Sequence, residues 1–197
     1  MLGALAFSVG LILVVVGGAE LFTGNNLIVM AWVHGKVTLA SLMRNWVIVF
    51  LGNAVGAVGA AFAMHWSGAL TIGGGAVGET AVAIANNKLA LDPFQAFFRG
   101  VLCNALVCLA VWLCFAAHSV SGKILSIIFP VSAFVAIGFE HSIANLYLIP
   151  VAMLHGGVFD ITGFGVNILI VTAGNIVGGG VFVALSYYVI YLRPNKP

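Results

Sequence analysis

Charge is what this chain has least of. Of its 197 residues only 6% are charged and 62% are hydrophobic, against about 25% and roughly 45–50% in an ordinary soluble domain. Seven bases and five acids cannot clothe a water-facing surface of this size, whereas a lipid-facing surface needs no charge. A formal net charge of +2 is too small for a nucleic-acid partner. Disorder requires low hydrophobicity and high charge and is excluded as firmly. Cysteine is scarce too. Cys103, Cys108 and Cys114 share one apolar run, so they imply neither a disulfide framework nor a zinc knuckle and read as small packing residues. No His-x-x-x-His pair, nucleophile elbow or phosphate-cradling loop is present. Gly73-Gly74-Gly75 follows no strand and reads as a flexible connector. Neither a metal, a cofactor nor enzymatic chemistry is expected.

What the chain has in abundance is apolar length. Trp46–Trp66, Phe97–His118 and Asn167–Leu192 each suffice to cross a bilayer. Met1–Val33 and Ile124–Leu154 are longer still. As straight helices at 1.5 Å per residue they would measure about 50 and about 46 Å, against a hydrocarbon core of about 30 Å. Each carries a polar, glycine-bearing insert, Gly17–Asn26 in the first and Gly138–Asn145 in the second, so each is expected to be a broken helix. Five crossings result, with connections at Gly35–Asn45, Ser67–Ala96, Ser119–Lys123 and His155–Gly165. Lys36, Arg44, Lys123, Arg193 and Lys196 then share one side, and Lys88 and Arg99 the other. The positive-inside tendency puts the first group, and with it the C-terminus, in the cytoplasm.

The broken segments repeat each other. Gly18, Glu20 and Asn25 correspond to Gly138, Glu140 and Asn145 at an offset of 120 residues. The stretch from Asn45 to Gly56 matches Asn167 to Gly178 at seven of twelve positions, including the paired asparagines Asn45/Asn167 and Asn53/Asn175. An offset of three crossings reverses direction through the membrane, so the expected architecture is an inverted repeat, which transporters use to build a site near the midplane. Phe97–Ala117 precedes the second broken helix, and its counterpart would fall before Met1. The expectation is therefore five spans of a six-span protein, with the first absent from this chain.

Unwound backbone at membrane depth is tolerated where it lines a cavity or is buried in protein, so the two breaks are expected to face one site. Half-helices starting there aim their N-termini inward, which suits a small anion. Asn25 and Asn145 are candidate caps for them. Glu20 and Glu140 are the acids within apolar segments and are read as structural ties at the breaks, while His141 is the histidine placed to handle protons. Thr23, at similar depth, is its candidate hydroxyl partner or else a helix cap. His34, His65, His118 and His155 stand at or near span ends, where an imidazole is comfortable without a role.

Ala19-Glu20-Leu21-Phe22-Thr23-Gly24, Gly138–Asn145, Gly174–Gly180 and the Tyr187–Arg193 ending together resemble the formate/nitrite transporter family, along essentially the whole chain. The resemblance implies an all-α, aquaporin-like membrane channel, assembled as a homopentamer in the bacterial inner membrane. It would pass small monovalent anions, most closely formate, together with a proton. Nitrite and hydrosulfide members share most of these residues. The resemblance places the central histidine at His141 and its partner at Thr23, and gives anion attraction to Lys88 and Asn104. It makes Leu21, Phe22 and Thr23 a gating loop, and Phe7, Leu11 and Phe134, with Leu21 and Phe22, apolar constrictions. Without it, Lys88 would read as a solvated loop charge and Asn104 as an interhelical hydrogen-bonding amide.

Two rival readings fit the residues less well. A membrane-embedded haem subunit requires histidines paired across two helices at equal depth, and only His141 is central. A water or glycerol channel would carry paired asparagine-proline-alanine turns, which Gly24-Asn25-Asn26 and Ile143-Ala144-Asn145 do not match.

Overall fold

The computed structural model describes residues 2–193. Met1, Lys196 and the rest of 194–197 lie outside the described residues. Helix α1 (Leu2–Gly17) leads through an irregular stretch into a 3₁₀ turn (Gly24–Leu27) and α2 (Ile28–Val33). Helix α3 (Leu39–Trp66) follows, then α4 (Ala76–Leu89) and α5 (Pro93–Ala116). The second interrupted unit is α6 (Val120–Ile137) and α7 (Ser142–Leu154), and α8 (Ile161–Ile176) runs on as a π-helix over Val177–Leu185. Each of the five expected crossings has a helix or a broken pair of helices in its place, and four of the helices are long and apolar enough to cross a membrane. Both interruptions begin at a glycine in the left-handed region, Gly18 at φ 74° and Gly138 at φ 78°. Only glycine enters that region without a Cβ penalty, so these two residues end α1 and α6.

Three expectations about the elements need correction. Four helices start earlier than the apolar runs do, because each opens on a polar capped turn that hydropathy alone passes over. Thr38, Asp92, Ser119 and Asp160 accept from backbone amides of Ser41, Phe94, Gly122 and Gly163 respectively. The Ser67–Ala96 connection is largely helical: α4 lies within it and packs against α7. Gly73-Gly74-Gly75 is not slack either. All three residues have positive φ and form the tight turn that leads into α4.

Helix α5 is the centre of the bundle, packed against α8 on one side and α6 on the other, while α1 packs on α6 and α3 on α7. The α5–α8 contact depends on missing side chains. A Cβ on Gly178 would stand 2.1 Å from the Val101 carbonyl, and one on Gly174 would stand 2.3 Å from that of Phe97. Bare backbone at these positions lets two helices approach where apolar attraction is shared with lipid and packing decides association. The outer faces stay apolar. Val47, Ile48, Leu51 and Val55 of α3 and Leu169 of α8 are exposed, as a surface solvated by acyl chains requires.

Candidate functional site

The two breaks carry the same hydrogen-bond cage, built from residues equivalent under the repeat. At the first, Asn53 Oδ1 accepts from the Phe22 amide at 2.9 Å and Asn53 Nδ2 donates to the Glu20 carbonyl at 3.0 Å. At the second, Asn175 Oδ1 accepts from the Ser142 amide at 2.9 Å and Asn175 Nδ2 donates to the Glu140 carbonyl at 3.1 Å. The carboxylates are held alike. Asn25 Nδ2 donates to Glu20 Oε2 and to Asn45 Oδ1, and Asn145 Nδ2 donates to Glu140 Oε2 and to Asn167 Oδ1. Unwound backbone deep in an apolar bundle thus finds its partners in side-chain amides. Glu20 and Glu140 tie the breaks together, as expected of structural residues. Asn25 and Asn145, by contrast, do not cap the half-helices: Asn25 lies within the 3₁₀ turn Gly24–Leu27 and Asn145 within α7, whose cap is His141.

His141 itself caps α7: its Nδ1 accepts from the Ala144 amide at 3.2 Å. That bond fixes the tautomer of the neutral ring, leaving the hydrogen on Nε2. Nε2 stands 3.0 Å from Thr23 Oγ1, so the imidazole donates to the hydroxyl and joins the second break to the first. Thr23 is fully buried and His141 is 7% exposed. The ring of Phe134 lies nearly parallel to that of His141, with centroids 6.0 Å apart, and takes the edge of Phe7 at 5.8 Å.

A cavity lies on each side of this junction. One, of about 640 Å³, is lined by Leu11, Glu20, Leu21, His34, Lys36 and Lys123 among others. The other, of about 760 Å³, is lined by Phe7, Lys88, Arg99, Phe134, Glu140 and His141 among others. Leu11 and Phe134 are buried in one apolar cluster, with Leu21 packed against it. The structure places Leu11 and Leu21 on the first cavity and Phe7, Phe134 and His141 on the second, with Thr23 bonded to His141.

Three assignments change. Phe22 does not line either cavity. It is buried against Phe50 and Trp46, at centroid distances of 5.1 and 6.0 Å, and so anchors the loop to the α2–α3 side instead of narrowing the path. Asn104 is fully buried and also lines neither cavity. Its Nδ2 lies 3.1 Å from the Thr23 carbonyl, 2.9 Å from Asn26 Oδ1 and 2.7 Å from the Asn175 carbonyl, so it clamps the two repeats and does not face an anion. Lys88 does line the second vestibule, but its Nζ is 2.9 Å from Glu140 Oε1 in a largely buried pair. Its charge is already matched.

Sequence reasoning paired Asn45 with Asn167 and Asn53 with Asn175 but gave these cage residues no role. Their recurrence at one offset was the available signal. Among the described residues no group of three or more histidine, cysteine or acidic side chains is placed to hold a metal ion.

The architecture agrees with what comparison finds. A family profile described as formate/nitrite transporter matches residues 1–189. The formate channel FocA of Escherichia coli K12 is 39% identical over 217 residues, covering 99% of this chain and 75% of that protein. A probable formate transporter of Methanothermobacter thermautotrophicus is 46% identical over 201 residues, covering 95% and 73%. A solved pentameric formate channel with formate bound superposes with a TM-score of 0.88 at 43% identity, over 98% of this chain and 83% of that one. These proteins are transporters and channels, not enzymes. An interrupted-helix inverted repeat closed by a histidine–threonine contact, together with a family match along nearly the whole chain, makes this protein a member of the formate/nitrite transporter family.

Proposed function

We propose that the chain forms a channel for small monovalent weak-acid anions, formate first among them, and that the passing anion crosses together with a proton at His141. The observation that carries this reading is the Thr23–His141 bond at 3.0 Å between two otherwise separate vestibules. A bare anion entering the Phe7–Phe134–Leu11 constriction would lose its hydration with no compensating charge. Two features relieve that cost. The His141 Nε2–H offers a directed hydrogen bond once the Thr23 hydroxyl yields it, and a proton acquired from the vestibule neutralises the anion before the apolar passage. Formate crosses either as the neutral acid or briefly hydrogen-bonded to the imidazole. The relatives and the superposed structure are named for formate, which favours it over nitrite and hydrosulfide.

The same reading takes residues 1–197 as one transmembrane channel domain, assembled as a homopentamer in the bacterial inner membrane with its C-terminus in the cytoplasm. The pentamer rests on the superposed pentameric channel, and the orientation on the clustering of basic residues. Formate uptake into proteoliposomes, measured at a series of external pH values, tests the mechanism. Uptake is expected to rise as external pH falls, and His141→Phe to flatten that dependence. A variant that kept the full pH profile would remove the imidazole from the mechanism.

A further inference from the structure

The second vestibule holds two basic side chains, and they are not equivalent. Lys88 is neutralised by Glu140 at 2.9 Å, and this is the sole ion pair among the described residues. Arg99 lines the same cavity as Lys88 and His141. Its side chain makes one long hydrogen bond, from a terminal nitrogen to the Gly138 carbonyl at 3.4 Å. The Arg99 carbonyl in turn accepts from the Glu140 amide at 3.3 Å, which fastens this turn of α5 to the second break. Asp92 and Asp160, on the same side of the membrane, are committed to capping α5 and α8. A guanidinium with spare donors is thus held beside the backbone that carries His141, without a carboxylate partner among the described residues.

The chemistry of that group is specific. Guanidinium presents parallel N–H donors at the spacing of the two oxygens of a carboxylate, whereas an ammonium is a point charge. We propose that Arg99, and not Lys88, receives the incoming anion on the His141 side, gripping planar two-oxygen anions such as formate through two parallel N–H bonds before they reach the imidazole. This rests on the reading of the chain as a weak-acid channel. It deepens that reading by making Arg99 a determinant of preference between two-oxygen anions and a one-atom anion such as hydrosulfide. The position at a vestibule wall, not in the constriction, makes it a residue of capture and not of passage.

Labelled-anion flux across proteoliposomes of zwitterionic lipid that hold the channel in one orientation, with formate or hydrosulfide added to one face at a time, provides the test. With formate on the His141 face, Arg99→Gln is expected to raise the half-saturating concentration about fivefold, as for one partly exposed charge-assisted contact. Maximal flux, and flux from the opposite face, should stay as in the unsubstituted channel. Arg99→Lys keeps the charge without the fork. It is expected to restore half-saturation for hydrosulfide while leaving formate weakened. Zwitterionic lipid removes anionic headgroups as competing partners, so a shift that appeared only after adding anionic lipid would overturn the assignment in favour of a lipid contact. Unchanged half-saturation in Arg99→Gln, or equal shifts from both faces, would also overturn it. A Lys variant that recovered formate and hydrosulfide alike would reduce Arg99 to a charge and overturn the fork. An unsubstituted channel that passed neither anion would overturn the functional reading itself, and the Arg99 assignment with it.

Discussion

Asn53 and Asn175 stand 122 positions apart and do the same work at opposite breaks: each accepts the amide of the residue two places after the break's glutamate and donates to that glutamate's carbonyl. Asn175 goes further. Its Nδ2 also reaches the Gly100 carbonyl at 2.8 Å, and the side chain is fully buried. Substitution by leucine strands an amide and a carbonyl at either site, at about 1–3 kcal/mol per group left buried and unsatisfied; the bond to the Glu20 carbonyl is exposed, whereas the second break's bonds are buried. The expected outcome is a lower thermal midpoint in detergent for both variants, with Asn175→Leu the lower because Asn53 is only half-buried. Equal midpoints for the two would contradict this ranking.

The close approach of α8 to α5 is open to a similar test. A methyl on Gly178 meets the Val101 carbonyl, and a main-chain atom cannot rotate aside as a side chain does. Gly178→Ala is therefore expected to destabilise the protein by about 1–3 kcal/mol, despite the better helix propensity of alanine. Thermal unfolding followed by circular dichroism reads the change. A stabilised variant would mean that the two helices separate easily.

Much of this was legible in the sequence because a membrane makes unusual demands plain. An apolar run too long for one crossing, interrupted by Gly-x-Glu and an asparagine five residues after the acid, has few structural meanings, and both breaks stand where those residues put them. Thr23 and His141 came together from depth and family resemblance. Helix α4 was hidden because Glu79, Asn86, Asn87 and Lys88 lower its hydropathy, and because it opens after Gly75 without a side-chain cap. The inward or outward aim of Phe22 was not readable either. An irregular break has no period, so spacing assigns no face, and only the contacts with Trp46 and Phe50 decide it. Asn104 was misplaced for a related reason: a mid-span amide needs partners, but the sequence does not say whether they are substrate or backbone.

Thr23 takes the imidazole's hydrogen at its hydroxyl, and its carbonyl is held by Asn104 Nδ2 and, at 3.3 Å, by Cys108 Sγ. The backbone of the loop is thus fastened independently of the side chain. Thr23→Val keeps the shape and removes the bond to His141. It is expected to alter the opening of the channel, seen as a changed maximal formate flux in proteoliposomes, while leaving anion preference intact. Flux and pH response that both match the unsubstituted channel would remove Thr23 from gating.

Lys88 and Glu140 form a pair whose members cannot be removed singly without penalty. The Glu140 side chain is 3% exposed and that of Lys88 13%, so deleting the ammonium leaves a carboxylate in a nearly dry site with Asn145 as its remaining side-chain donor. Breaking such a pair from one side costs about 3–5 kcal/mol, whereas replacing both members is often close to neutral. Lys88→Met is accordingly expected to lower the thermal midpoint steeply, and the double variant Lys88→Met/Glu140→Gln to recover most of the loss. Formate flux separates this structural role from anion attraction. If Lys88 acts chiefly through Glu140, the double variant conducts with near-normal half-saturation from both faces. If it attracts the anion directly, recovery of stability leaves half-saturation raised on the His141 face, where Arg99 would then be sharing the task instead of carrying it.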